Sequence, residues 1–203
     1  MENLLIRKTA KKLTYFMNTY AKYESCQLRK LQYGIEILIV NISKVVILYL
    51  SAIMLGVIWQ TLCVHLSFLT IKRYSYGLHA LNSTICTLLG IVTFVVVPFF
   101  LMDAGISNFV TLLAFLGIFC ALLLYAPADT KAKPLVGCEL RRWLKKRSVI
   151  CALVLLIIAL VVHCENVKLL IVLGAAYQCL SILPLTYKLL KRSERNYEKH
   201  DSL

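Results

Sequence analysis

The residues best equipped for covalent chemistry in this 203-residue chain are its eight cysteines and four histidines. A thiolate attacks a carbonyl well when an imidazole can hold or move its proton and a third group orients the ring. The cysteines stand at positions 26, 63, 86, 120, 138, 151, 164 and 179. No two are spaced Cys-x-x-C, so neither a zinc ribbon nor a dithiol redox pair is signalled, and no metal or cofactor is expected. Cys63, Cys120, Cys151, Cys164 and Cys179 lie in or beside apolar runs, where cysteine acts as a small hydrophobe. Cys26 and Cys138 are expected to be reduced thiols. His200 sits in a charged tail and His163 at the end of an apolar run.

That leaves two local Cys–His pairs. Cys63 and His65 are two apart, which points them to different sides of a helix. His79 and Cys86 are seven apart, on one face but about 10.5 Å apart along an ideal helix axis. Direct contact then requires either irregular backbone around Gly77–Ser83, for which Gly77, Asn82 and Ser83 supply residues, or a His side that folds back before the span begins. Such backbone is tolerated at membrane depth where it lines a protein-enclosed or watery cavity.

The elements that must hold these groups are membrane helices. The chain is 60% hydrophobic and only 16% charged. A soluble domain is about a quarter charged, and a globule of this size has too little interior for so much apolar surface. Disorder is excluded by the abundance of Leu, Ile and Val. Six apolar segments can be read, at residues 35–59, 61–71, 80–102, 109–125, 149–163 and 169–187, with a turn near Gly56. A full crossing takes about 20 residues, so the reading is an all-α polytopic bundle with four to six full spans. It forms one integral membrane domain over residues 1–203. Residues 1–34 make an amphipathic basic N-terminal helix on the inner leaflet. Residues 35–125 carry the catalytic spans, 126–147 a basic cytoplasmic loop, 148–190 the C-terminal spans and 191–203 a cytoplasmic tail. No cleavable signal peptide is expected, because no short apolar stretch with a small-residue cleavage site follows the basic start.

The net charge is +13, and 21 of the 23 Lys and Arg fall in residues 1–34, 72–73, 126–147 and 188–203. Six crossings with both termini cytoplasmic put every cluster on the cytoplasmic side, as the positive-inside rule requires. The basic residues flank apolar segments rather than forming a soluble basic face, so nucleic acid is not an expected partner.

Two strings carry a family resemblance. KRYSYGLHALNSTIC, residues 72–86, and YAPADTKAKPL, residues 125–135, resemble signatures of the accessory gene regulator B family of membrane cysteine endopeptidases, which process quorum-sensing precursor peptides. The first family pattern is a basic pair, an aromatic, Gly-Gly, one residue, His-Ala, and Cys seven after the His. Here Tyr76-Gly77 replaces Gly-Gly, and the basic pair opens with Lys72. A third, shorter likeness is Tyr33-Gly34-Ile35-Glu36.

The resemblance implies that Cys86 is the nucleophile and His79 its proton partner. Lys72 or Arg73 is implied as an adjacent cation that favours a thiolate or holds a substrate carboxylate. Gly77 keeps the turn, and Glu36 orients His79, holds Arg73 or grips substrate. Candidate oxyanion donors are Asn82, Ser83 and the backbone N–H groups near Gly77. The implied reaction removes the acidic C-terminal tail of a short amphipathic precursor through a thioester on Cys86. The peptide then cyclises to a thiolactone or lactone. Lys131 and Lys133 are implied as substrate-binding groups, with Asp129 as a further contact or a turn former. A homodimer in the cell membrane, with the active site near the cytoplasmic face, completes the expectation. Competing readings are a non-enzymatic membrane protein, such as a small peptide exporter or scaffold, and an enzyme built on Cys63 and His65.

Overall fold

The computed structural model describes residues 2–21, 23–78, 83–129 and 135–189. Those residues are overwhelmingly helical, with no strand among them. The chain divides into two compact units, residues 1–51 and 52–203.

The first unit holds α1 (Glu2–Ala21) and most of α2 (Ser25–Met54). Along α1, Lys8, Lys11 and Lys12 are exposed together with Tyr15, Phe16 and Tyr20. The Phe16 and Tyr20 rings stack edge to face at 5.4 Å. Cations beside exposed aromatics suit a helix lying in a membrane interface. At 30 residues, α2 is about 45 Å long, more than the hydrocarbon thickness.

The second unit begins with the last turn of α2 and reverses at Gly56, whose φ of +69° is cheap only without a Cβ. Then follow α3 (Ile58–Ser75), α4 (Ser83–Ile91), a π-helical turn (Val92–Val96), α5 (Val97–Phe100), α6 (Asn108–Tyr125), α7 (Cys138–Val161), α8 (Glu165–Ile182) and α9 (Pro184–Leu189). The π turn has a local cause. Pro98 has no N–H and its ring crowds the carbonyl four residues back, and the ladder widens so that Val97 N donates to Val92 O. Proline also splits the last apolar run: α8 stops at Ile182 and α9 starts with Pro184, the first helical position that proline favours.

Among the described residues, four helices are long and apolar enough to cross a membrane: α2, the continuous stretch Ser83–Phe100, α6 and α8. The protein is a multi-pass membrane protein with an all-α fold. The other two expected segments extend beyond their apolar runs. The run 61–71 lies inside α3, which also carries Gln60, Lys72 and Arg73. The run 149–163 is the second half of α7, which starts at Cys138. Half of the expected basic loop 126–147 is therefore helix, because Glu139 through Arg147 are mostly good helix formers.

In the second unit α8 packs on α3, α6 and α7. Its core residues Ile171, Ala175, Cys179 and Ile182 face Phe115, Ile118 and Leu122 of α6, Ala152, Leu155 and Ala159 of α7, and Ile71 of α3. Each set recurs every three or four residues, one stripe per helix. The outward faces carry large apolar side chains such as Leu113, Leu116 and Val161, as lipid-facing surfaces must. At the opposite end from the candidate site, Ile106 N donates to Glu165 O and Asn166 Nδ2 to Met102 O, tying the α5–α6 link to the start of α8.

The closest approach is between α3 and α8. A Cβ on Gly174 would collide with Val64 O and lie 2.8 Å from Ser67 Cβ. Small residues allow such backbone approach, which drives helix association in lipid. Gly174→Val should force α3 and α8 apart and cost at least about 1–3 kcal/mol, read as a lower thermal unfolding midpoint in detergent. The same change at Gly117, where nothing lies within 4 Å, should cost less.

Candidate functional site

Where α3 ends, the backbone has to leave the helix inside the bundle. Tyr76 adopts φ 58° and Gly77 φ 105°. Gly77 occupies the turn that its place in the sequence implied: a Cβ there would lie 2.6 Å from Ser181 Oγ and would be strained in φ.

This irregular segment is fixed on two sides. Tyr76 forms a single parallel bridge with Ala128. Ala128 N donates to Ser75 O at 2.9 Å, and Gly77 N donates to Ala128 O at 3.1 Å. On the other side, Leu78 N donates to Ser181 O at 3.2 Å. Gln178, fully buried on α8, aims its Nε2 at both Ser75 Oγ and Tyr76 O, each at 2.6 Å. Its Oε1 lies 3.0 Å from the Ser181 hydroxyl. The loop that supplies Ala128 is held in turn by buried Tyr187, whose hydroxyl donates to Asp129 O at 2.9 Å. Backbone groups that helices leave unpaired thus find partners inside the protein, which an apolar surrounding demands.

The chain pinned in this way leads directly into His79. His79 itself lies outside the described residues, as does Asn82. Cys86 lies in the first turns of α4 and is half-buried, a free thiol. Lys72, in the last turn of α3 just beyond its apolar run, is half-buried as well. Its Nζ sits 4.6 Å from the Phe68 ring centroid, within cation–π range. Burial lowers the Lys72 pKa, and a Cys86 thiolate nearby raises it. Arg73 is exposed, its guanidinium 5.8 Å from the Tyr74 ring centroid, and Tyr74 meets Trp143 of α7 edge to face at 5.9 Å.

Other expected residues are more dispersed. Glu36 is in α2, in the first unit, half-buried and accepting a hydrogen bond from Gln32 Nε2 at 3.0 Å. Asp129 is buried in the loop after α6, so its place suits a structural role. Lys131 and Lys133 lie outside the described residues. Ser83 opens α4 and is exposed. In the rival pair, Cys63 and His65 share α3, and the His65 ring contacts Phe94 at 5.1 Å. No cluster of metal-ligating side chains occurs among the described residues. Gln178, Ser181 and Tyr187 had not been singled out from sequence. The available signal was a glutamine within an apolar run, since a polar group there needs a partner.

Gly77→Ala should disrupt the pinned segment, seen as faster hydrogen exchange at the Gly77, Leu78 and Ala128 amides. Gln178→Leu should leave buried groups unpaired at about 1–3 kcal/mol each, lowering the unfolding midpoint and loosening the same amides. Gly90→Ala, with open space around it, should leave that protection intact.

A model of the family accessory gene regulator B matches residues 10–182. An AgrB-like protein of Listeria innocua is 44% identical over 172 residues, covering 85% of this chain and 84% of its own. An AgrB-like protein of Clostridium acetobutylicum is 36% identical over 193 residues, covering 95% and 92%. The accessory gene regulator protein B of Staphylococcus epidermidis is 30% identical over 202 residues, covering 97% and 98%. No solved structure matches. The matched span takes in the membrane helices, Cys86 and the pinned turn, and it ties the chain to the accessory gene regulator quorum-sensing system: this protein belongs to the accessory gene regulator B family.

Proposed function

We propose that this protein is a membrane-embedded cysteine endopeptidase that cuts the C-terminal tail from a small quorum-sensing precursor and promotes cyclisation of the remaining peptide. The observation that carries this reading is the pinned turn at Gly77 and Leu78. His79 follows this turn directly in sequence, Lys72 is half-buried in the last turn of α3, and the half-buried thiol of Cys86 stands in the first turns of α4.

Cys86 Sγ attacks the carbonyl at the edge of the signal sequence while His79 takes and later returns the thiol proton. The C–N bond breaks, the tail leaves as an amine, and the peptide is held as a thioester. A thiol or hydroxyl within the peptide then attacks the thioester carbonyl, giving a thiolactone or lactone and freeing Cys86. Hydrolysis competes with that second step, so the thioester must be kept from bulk water. A half-buried thiol in the first turns of α4 suits that need. Lys72 has two uses here: it stabilises negative charge on Sγ, or it grips a carboxylate on the substrate.

The charge pattern sets the side of entry. Both termini and the site lie at the cytoplasmic face of the cell membrane, where the basic clusters belong. An acidic precursor tail is drawn to the basic stretch 126–147, with Lys131 and Lys133 as direct contacts. Glu36 is the acidic group offered from α2, and the working unit is a homodimer.

Co-expression with a precursor, followed by mass spectrometry of the peptide products, tests the assignment. Cys86→Ser and His79→Ala should each reduce cleavage by at least about a thousandfold, as loss of a nucleophile or its base does in other hydrolases. Cys63→Ser and His65→Ala should retain cleavage. Unchanged cleavage with Cys86→Ser would overturn the proposal, and loss with Cys63→Ser alone would move the site to α3.

A further inference from the structure

Beside the pinned turn, at the end of the bundle where α6 stops and α7 starts, lies a cavity of about 270 Å³. Its walls include Arg141, Arg142 and Lys145 of α7, Asp129 and Tyr125 from the loop after α6, and Tyr187 of α9. Three cations against one carboxylate leave the lining positive. Arg141 and Lys145 are four residues apart and share one helix face. Arg141 Nη1 donates to Leu135 O at 3.0 Å, and Lys145 Nζ donates to Leu123 O at 2.8 Å. The carbonyl holds the Lys145 ammonium in place without cancelling its charge. Arg142 is exposed at the rim.

The surroundings decide which kind of anion suits the cavity. Leu124, part of its wall, is 69% exposed, and Leu185 of α9 is 73% exposed. Trp143 and Tyr125 stand at the same level with partly exposed rings, as aromatic side chains do at a membrane–water boundary. A ligand that fits has a compact anionic head and an apolar body that continues along α6 and α9.

We propose that this cavity binds the phosphate headgroup of an anionic phospholipid, with the acyl chains lying on the exposed leucines of α6 and α9. Basic pockets between membrane helices are suited to such headgroups, and arginine forks match phosphate oxygens in pairs. None of the cavity's walls is His79 or Cys86, although its cations belong to the 126–147 stretch proposed to draw the precursor tail, so a glutamate-rich peptide is included as a competitor in the test. The site nevertheless touches the hub: Ala128 and Ile182 line the cavity too, and Ala128 also hydrogen-bonds Gly77. A bound headgroup would tie α7 to the loop that fixes the turn, so lipid occupancy should stabilise the hub.

The test uses the full chain reconstituted in vesicles of phosphatidylcholine, with or without about one quarter phosphatidylglycerol, a fraction that gives a clearly anionic surface. Native mass spectrometry after mild extraction reads the bound lipid, and thermal unfolding reads its effect. The wild type should retain phosphatidylglycerol and unfold at a higher temperature in its presence. Arg142→Gln combined with Lys145→Gln should lower retention by about tenfold, the scale of losing charge-assisted hydrogen bonds, and abolish the thermal shift. Lys146→Gln combined with Arg147→Gln removes the same charge outside the cavity and should behave as the wild type. If the double cavity variant is unstable in phosphatidylcholine, Arg142→Gln alone replaces it and should still lower retention severalfold. Four results would overturn the proposal. These are equal retention by the cavity variant, equal loss in the Lys146 and Arg147 control, an equal thermal shift from free glycerol phosphate, and displacement of the lipid by a glutamate-rich peptide. The last two would identify a free phosphate or an acidic peptide as the occupant. Cleavage of precursor plays no part in these readouts, so the site stands or falls separately from the endopeptidase assignment.

Discussion

The buried amide of Gln178 joins two parts of the chain that are far apart in sequence, the end of α3 and the end of α8. Its two donor contacts reach the end of α3, and its oxygen meets Ser181 near the end of α8. Around it, Ala128 bridges to Ser75 and Gly77. An unpaired peptide group in an apolar setting costs several kcal/mol, so the path from Ser75 to Leu78 is sharply restricted. That restriction fixes the chain up to the residue before His79. Gly77 is needed because its φ is positive and Ser181 fills the space a Cβ would take.

Packing supports this arrangement from below. Gly174 brings α8 against the α3 backbone one turn before Gln178, close enough for the amide to reach Ser75 and Tyr76. Substituting a larger residue at position 174 acts on the hub through distance, whereas substitution at Gln178 acts through hydrogen bonding. Both operate in the same four-helix core of α3, α6, α7 and α8. The cationic cavity is lined by the same loop, so the proposed headgroup binding and the turn geometry share Ala128.

Much of this could be read from the residues in order. The apolar runs pointed to the class of fold, and glycine marked the break at Gly56, whereas the break before Pro184 falls inside the apolar run 169–187. The spacing of His79 and Cys86 called for irregular backbone around Gly77–Ser83; the chain is non-helical at Gly77 and Leu78, Ser83 already opens α4, and residues 79–82 lie outside the described residues. What sequence order does not reveal is long-range pairing. Gln178 lies 103 residues from Ser75, and nothing local specifies that contact. The start of α7 was misjudged for a different reason. Charge argued for a loop, but lysine, arginine and glutamate are also good helix formers, and the helix continues from the spanning segment into the basic stretch. Glu36 resembled a site residue in its local string, and its recorded hydrogen bond is with Gln32 one turn away on α2.

The central claim is that Cys86 carries the peptide as a thioester beside a turn held by Gln178. Intact-protein mass spectrometry tests it most directly, using a precursor whose cyclising thiol or hydroxyl has been removed so that the second step stalls. The account predicts an added mass equal to the precursor lacking its tail, mapped to Cys86, released by hydroxylamine and absent from Cys86→Ser. An adduct on another cysteine, or tail release with no hydroxylamine-sensitive adduct at Cys86, would contradict it.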